Sequence, residues 1–168
     1  MSRVITFSRT FPAYHPRKGE ATHFVEQIWN GLNNLGLPVP KNKELPHEFM
    51  WSILPLSNYG YKYHTIRAWH RWKAGDKFSP RVWSGKPYNS KQIIIAPDIT
   101  VVKTWNFDIE PLAGDYLLNG FPIPIEKLRT IAMNDGFTDL DDFECWFKLK
   151  RGEGFIGQII CFNSQIEY

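Results

Sequence analysis

The stretch that decides the fold is Gly60-Tyr61-Lys62-Tyr63-His64-Thr65-Ile66-Arg67, in which a glycine-led turn leads into a strand. Alternation along a strand places Thr65 and Arg67 on one face. Lys62 has the opposite parity, so it reaches Thr65 only if the chain turns where it enters the strand. The sequence therefore predicts a strand over 63–68 that presents a lysine, a hydroxyl and a guanidinium close together.

Short strands and a few helices surround this stretch. Strands are predicted at 4–7, 63–68, 77–83, 91–96, 99–109 and 156–162, and helices at 20–35, 124–135 and 139–149. The pair Asn119-Gly120 is a strong hairpin signal. This order does not fit a regular βαβ series, so it predicts an α+β fold in which a small, closed or nearly closed β-barrel carries flanking helices.

The segment at about 37–58 stands apart from this pattern. Its prolines break any long element, while Phe49 and Trp51 make it too apolar for a plain linker. We predict an insertion that packs on the body of one domain, since 168 residues provide a single core of ordinary size. In the alternative interpretation, these aromatic residues dock a protein partner.

Composition excludes several classes of protein. Hydrophobic residues make up 43% of the chain, which excludes a disordered protein. No apolar run approaches the roughly 20 residues that a membrane span needs, so no membrane partner is expected. The two cysteines and five histidines lack metal-ligand spacing, and no glycine-rich nucleotide loop is present, so neither a metal nor a cofactor is predicted. We expect a cytoplasmic protein with reduced thiols.

Positive charge is concentrated between residues 61 and 91. Eight lysines and arginines lie there against the single acid Asp76, and they alternate with tyrosine, tryptophan and phenylalanine. Single-stranded nucleic acid is bound by such mixtures, because cations contact phosphates and rings stack on bases. The alternative is a solvated strand face whose aromatic rings fill the core. The substrate-binding candidates are Arg67, Tyr63, Trp69, Arg71, Trp72 and Lys73.

Two positions have the chemistry of a proton-transfer site. A lysine beside an arginine, as Lys62 is beside Arg67, loses part of its proton affinity and can act as a base for the Thr65 hydroxyl. Asp135 falls where the 124–135 helix ends, and there a negative charge opposes the macrodipole. Each also has a structural explanation, since such trios often stabilise strand edges and Asn134-Asp135-Gly136 is ordinary helix-ending chemistry.

The stretch 60–67 resembles the signature of the ASCH domain family. That signature is Gly-x-Lys followed, after two more residues, by an acidic or hydroxyl residue and then x-Arg. The segments 71–76 and 132–137 are similar to further parts of the family pattern. The family belongs to the PUA-like superfamily of small β-barrels that commonly contact RNA. The resemblance therefore implies a PUA-like barrel that binds RNA or a modified nucleoside.

The version with threonine at the hydroxyl position resembles the bacterial N4-acetylcytidine amidohydrolases. That resemblance implies that Lys62, Thr65 and Asp135 are catalytic, with Asp135 standing at or beside the position where those enzymes have a glutamate. Lys62 would be the base, Thr65 the nucleophile, and Arg67 or a backbone N–H the oxyanion donor. The alternative is a non-catalytic module that binds RNA in the same groove.

Overall fold

The computed structural model describes residues 2–40, 56–150 and 152–168. The described strands are β1 Arg3–Phe7, β2 His64–Ala68, β3 Lys77–Trp83, β4 Gln92–Ile94, β5 Ile99–Thr100, β6 Lys103–Ile109, β7 Tyr116–Leu118, β8 Phe121–Pro122 and β9 Phe155–Cys161. The helices are α1 Phe24–Asn34, α2 Ile125–Asn134 and α3 Leu140–Trp146, with a 3₁₀ helix at Leu56–Tyr59. The predicted α+β class is confirmed. Most of the predicted insertion at about 37–58, including Phe49 and Trp51, lies outside the described residues.

The strands form two sheets. In the first, β1 pairs in parallel with β3, and β3 pairs antiparallel with β4 and β5. The second is antiparallel throughout, in the order β2-β9-β6-β7-β8. The register places Thr65 opposite Ile160 and Phe7 opposite Val82, so the ends of β1 and β3 that carry Phe7 and Trp83 lie side by side.

The closed barrel expected from the sequence is wrong for the described part of the chain. The predicted strand over 99–109 breaks at Val101 and Val102, whose N–H groups donate to carbonyls beside β3 and on β9, each at 2.8 Å. This break carries the chain from one sheet into the other and joins the sheets along one side. On the other side, β1 and β2 have no ladder between them.

A side chain occupies that second gap. Arg67 Nη2 on β2 donates to the backbone oxygen of Thr6 on β1 at 2.7 Å. A ladder would require the two strands to lie about 4.8 Å apart, whereas a guanidinium and a cavity now separate them. The barrel is therefore open at the edges of β1 and β2, and the opening coincides with the stretch singled out above.

Helix packing fixes the surroundings of this opening. The apolar stripe of α1 (Val25, Ile28, Trp29 and Leu32) is buried in a core cluster with the first sheet. Helices α2 and α3 bury Ile131 and Phe143 against the second sheet. The predicted helix over 139–149 ends early, at Trp146, because Lys148 adopts a left-handed backbone with φ 48°. No helix among the described residues is long and apolar enough to cross a membrane.

Candidate active site

A pocket opens between the edges of β1 and β2. Its volume is about 180 Å³, close to the engineered cavity of about 150 Å³ that accepts one benzene ring. Its polar lining includes Lys62, Thr65, Arg67 and Asp135, and its aromatic lining includes Phe24, Trp83, Tyr88, Phe137 and Trp146. A small apolar hollow with a few convergent polar groups is the usual form of a ligand site. The pocket has room for one planar ring.

Lys62 and Asp135 meet at the base of the pocket. Lys62 Nζ donates to Asp135 Oδ1 at 2.6 Å and also to the backbone oxygen of Asp135. The two residues are only 2% and 5% exposed. The Lys62 N–H donates to Gln27 O on α1, and the Tyr63 N–H donates to Asn134 O at the end of α2. Both helices thus hold the turn that carries the lysine.

A glycine on α1 makes this close approach possible. A Cβ added at Gly31 would lie 2.7 Å from the carbonyl oxygen of Lys62, nearer than real Cβ atoms come to a backbone oxygen. Any side chain there would push the turn away from α1. The sequence pattern of α1 gave no sign of this requirement, because an isolated glycine inside a helix is usually only tolerated.

Burial shifts both members of the pair toward their neutral forms. It lowers the pKa of Lys62, which Arg67 lowers further while Asp135 opposes the change. It raises the pKa of Asp135, against the opposing charges of Lys62 and Arg67. Lys62 is thus almost completely buried, which is the environment in which a lysine loses part of its proton affinity. A proton held between an amine and a carboxylate with converging pKa values is easily transferred.

Thr65 and Arg67 share the face that the strand alternation predicts. Thr65 is 4% exposed and lines the pocket, and its hydroxyl has no hydrogen-bond partner among the described residues. Arg67 Nη2 is held by Thr6, whereas its buried Nε has no partner there. Burial lowers the pKa of Arg67, although Asp135 and Tyr88 oppose the shift. A free hydroxyl and a guanidinium with unused donors therefore face the same space.

The sequence did not predict the cluster of His64, Tyr168 and Asn134 that packs behind Asp135. His64 is fully buried, and its Nδ1 lies 3.6 Å from Asp135 Oδ1. Its Nε2 lies 2.8 Å from the Tyr168 hydroxyl, which accepts a bond from Asn134 Nδ2 at the same distance. Burial and the charge of Lys62 lower the pKa of His64 well below its ordinary value. Burial therefore favours a neutral imidazole whose Nε2 contacts the Tyr168 hydroxyl, while its buried Nδ1 has no hydrogen-bond partner among the described residues.

Two of the predicted binding residues lie outside the pocket lining. The ring of Tyr63 stacks on Tyr61 with centroids 5.4 Å apart, and its hydroxyl accepts from Asn34 Nδ2. Trp69 follows β2 with a φ of 68° and is 56% exposed, and its N–H donates to Ile156 O. Tyr63 instead lines a separate cleft with Tyr59 on the other side of the 135–137 turn.

The other three predicted binding residues, Arg71, Trp72 and Lys73, also lie outside the pocket lining. The Arg71 carbonyl accepts from Arg3, at the end of β1 opposite the pocket. The backbone N–H and carbonyl of Trp72 both bond the side chain of Gln158, and its ring packs against the core. Lys73 is exposed beside the same loop. Of the eight cations in the basic stretch, Lys62 and Arg67 line the pocket, whereas Arg71 and Lys73 lie on the surface near Arg3.

The aromatic lining is what sequence reasoning missed. Phe24 and Trp146 come from two different helices and share no motif that joins them, whereas Phe137 belongs to the 132–137 segment that resembles the family pattern. Trp83 and Tyr88 lie within the aromatic stretch 61–91, which is the one signal that could have found them. The described residues contain no group of histidine, cysteine and carboxylate side chains that could hold a metal ion.

Comparisons of the chain with protein-family models, with curated proteins and with solved structures gave no match. Assignment to a family therefore depends on the motif resemblance, and assignment of a function depends on the chemistry of the pocket.

Proposed function

We propose that this chain is an ASCH-like, PUA-like protein that binds the base of a modified nucleoside, free or within RNA, and hydrolyses an acyl group from its exocyclic amine. N4-acetylcytidine is the expected type of substrate. The observation that carries the proposal is that Lys62, Thr65, Arg67 and Asp135 all line one ring-sized pocket. Asp135 comes from a helix end far along the chain from the other three, so local strand structure does not explain the grouping.

The nucleophile is Thr65. Its hydroxyl has no competing partner among the described residues and faces the pocket, so it is available to attack an acyl carbonyl. A hydroxyl needs a base to take its proton as the bond to carbon forms. The base that lines the same pocket is Lys62 in its neutral form, which burial favours.

The reaction divides into two halves with the same groups. Thr65 Oγ1 bonds to the carbonyl carbon while Lys62 takes the hydroxyl proton, and the oxyanion that forms is stabilised by the free donors of Arg67. The C–N bond then breaks, and Lys62 returns the proton to the departing nucleobase amine. Water then attacks the acyl-threonine ester while Lys62 takes one of its protons. The bond between the acyl carbon and Thr65 Oγ1 breaks, Lys62 returns that proton to Oγ1, and the carboxylic acid leaves. Asp135 holds Nζ and accepts or returns the proton between steps.

The test is acetate release from N4-acetylcytidine by the purified protein and its variants. Lys62→Met and Thr65→Val should each lower kcat/KM by roughly 10²–10⁴, because each removes a group that takes part in bond making. Thr65→Ser keeps the hydroxyl and should retain much of the activity. Full activity in Thr65→Val would exclude Thr65 as the nucleophile.

One observation favours a second function. Both hydrogen bonds of Lys62 Nζ go to Asp135, and neither reaches Thr65. An amine held in this way suits a module that recognises a nucleobase without reacting. Such a module would bind N4-acetylcytidine and release no acetate, and its affinity would be unchanged by Thr65→Val.

A further inference from the structure

Two aromatic residues from the β3–β4 connection face the pocket. Trp83 ends β3, and Tyr88 lies in the loop at 84–91, with ring centroids 5.4 Å apart and planes tilted by 50°. Both belong to the pocket lining. Because β1 and β3 run in parallel, this loop emerges beside Phe7, at the end of β1 that forms the pocket wall.

The loop is tightly organised. The N–H of Gly85 donates to Ser90 Oγ at 3.0 Å, and that hydroxyl donates to the Lys86 carbonyl at 2.9 Å. The N–H of Asn89 bonds the same carbonyl, and the N–H of Ser84 closes the loop on the Lys91 carbonyl. The loop at 84–91 therefore follows a defined path, which fixes where the ring of Tyr88 is held.

Tyr88 is held at a conformational cost and contributes little to the folded core. Its φ is 65°, in the left-handed region that a bulky side chain seldom adopts. It is 86% exposed, and its hydroxyl has no hydrogen-bond partner in the described part of the chain. Strained backbone that supports no packing is found mostly at functional sites, where it positions a group in advance.

We propose that Trp83 and Tyr88 form a stacking platform for a planar heteroaromatic ring, so that the pocket selects acylated amines borne on a nucleobase over acylated aliphatic amines. This inference rests on the proposed function and specifies its substrate class. The ring would stack on Tyr88 at the pocket mouth, and Trp83, whose plane is tilted by 50° to that of Tyr88, would contact its edge. Its exocyclic acyl group would then extend inward toward Thr65 and Arg67.

The reasoning follows from what each group can recognise. Thr65, Lys62 and Arg67 act on an acyl amide of any origin, since an acetylated lysine and an acetylated cytosine present the same carbonyl. Only a flat ring gains from an exposed aromatic face, because stacking needs two parallel π surfaces. The platform therefore supplies the discrimination that the polar groups lack.

The experiment measures binding and turnover separately. Binding of N4-acetylcytidine is titrated on a Thr65→Val background, which prevents turnover, and acetate release is measured with Thr65 present. Tyr88→Ala should weaken the Kd roughly 5- to 100-fold, whereas Tyr88→Phe should bind within about twofold of the parent. Phe121→Ala, which removes another exposed ring outside the pocket, is the matched control and should leave the Kd unchanged.

Substrate class is tested with Nε-acetyl-lysine. The platform predicts that Nε-acetyl-lysine has a much higher Kd than N4-acetylcytidine. Tyr88→Ala should bring the two Kd values closer together. A short single-stranded oligonucleotide with one central N4-acetylcytidine separates the two sources of the base. Tighter, salt-dependent binding of the oligonucleotide identifies RNA, and equal or weaker binding identifies the free nucleoside. Sensitivity to Tyr88→Ala is required in both cases.

The two proposals fail in different ways. If the protein with Thr65 releases no acetate but Tyr88→Ala still weakens N4-acetylcytidine binding, hydrolysis is excluded and the platform stands. If Tyr88→Ala binds as tightly as its parent, the platform is excluded whether or not acetate is released. Absence of binding to N4-acetylcytidine and cytidine at millimolar concentration also excludes it. Unchanged circular dichroism of Tyr88→Ala verifies that the variant is folded.

Discussion

Lys62 Nζ lies 2.6 Å from Asp135 Oδ1, and both groups are buried almost completely. Removing one partner of such a pair leaves an unpaired charge in the interior, which typically costs about 3–5 kcal/mol, whereas removing both costs far less.

We therefore expect Lys62→Met and Asp135→Leu each to lower the free energy of unfolding by about 3–5 kcal/mol. The double variant should lose less stability than either single variant, so the coupling energy between the two side chains should be about 3 kcal/mol or more. Urea unfolding of the four proteins measures this coupling. Additive effects would mean that the two side chains do not depend on each other in solution.

The buried imidazole of His64 predicts a pH dependence of stability. It faces Lys62, Asp135 and Tyr168, and its pKa lies well below the ordinary value near 6.5. Below pH 6.5 the unfolded chain therefore binds a proton at His64 that the folded chain does not. The contribution of His64 to stability is complete above pH 6.5 and is lost as the pH falls toward its folded pKa.

Between pH 7.5 and 5.5 this loss should be on the order of 1 kcal/mol. His64→Gln keeps a polar side chain of similar size but does not titrate, so its free energy of unfolding should fall less over the same interval. Urea titrations of both proteins at the two pH values provide the comparison. Equal slopes would show that His64 is protonated in the folded protein.

The turn after α2 depends on Gly136. Its φ is 91°, and an added Cβ would lie 2.2 Å from Gln27 Oε1, a buried atom without a hydrogen-bond partner in the described region. Gly136→Ala should therefore cost roughly 2–4 kcal/mol, from left-handed strain and from displacement of Gln27. Gly114 has a φ of 73°, and a Cβ added there would have no atom within 4 Å. Gly114→Ala therefore measures the cost of left-handed backbone strain alone, which should be about 1–2 kcal/mol. Thermal or urea unfolding should rank the two variants in this order.

The surface cations near Arg3 can be separated from the pocket by experiment. If Arg71 and Lys73 contact phosphates, replacing both with alanine should reduce the log–log salt slope for single-stranded RNA by about 1.4. Acetate release from the free nucleoside should be unaffected, because both lie outside the pocket. Replacing Lys127 and Arg129, which are exposed on α2, changes the net charge equally and serves as control. Equal slopes in both double variants would indicate a general charge effect.

Part of the convergence at the pocket was predictable from the sequence, and for that part the reason is local. The strand alternation places Thr65 with Arg67, and the end of α2 falls at Asn134, within one residue of the prediction. Both depend on short-range patterns that neighbouring residues determine. The meeting of Lys62 with Asp135 came from the resemblance, since no local pattern brings a strand entry to a distant helix end.

The predictions that failed all depended on contacts between residues that are far apart in the sequence. The strand predicted over 99–109 keeps one alternation, yet it divides at Val101 because its two halves pair with different sheets. Trp72 was predicted to bind substrate because it lies in a basic, aromatic stretch. Its backbone carbonyl instead accepts from the Gln158 side chain, and its ring packs against the core. Tyr88 belongs to the aromatic stretch 61–91, but that pattern does not distinguish it from the other rings, and its place at the pocket arises from where β3 ends. Tertiary contacts decided each of these outcomes.

The central place of β9 in the second sheet has a consequence for synthesis on the ribosome. Thr65 and Arg67 lie on an edge strand whose backbone partners are Ile160 and Gln158. When β2 leaves the exit tunnel, most of the chain that must pair with it has yet to be translated, at about 5–20 residues per second. The first sheet can begin to assemble in that interval. The pocket wall is therefore completed late, and nascent chains should acquire ligand affinity only after β9 has emerged.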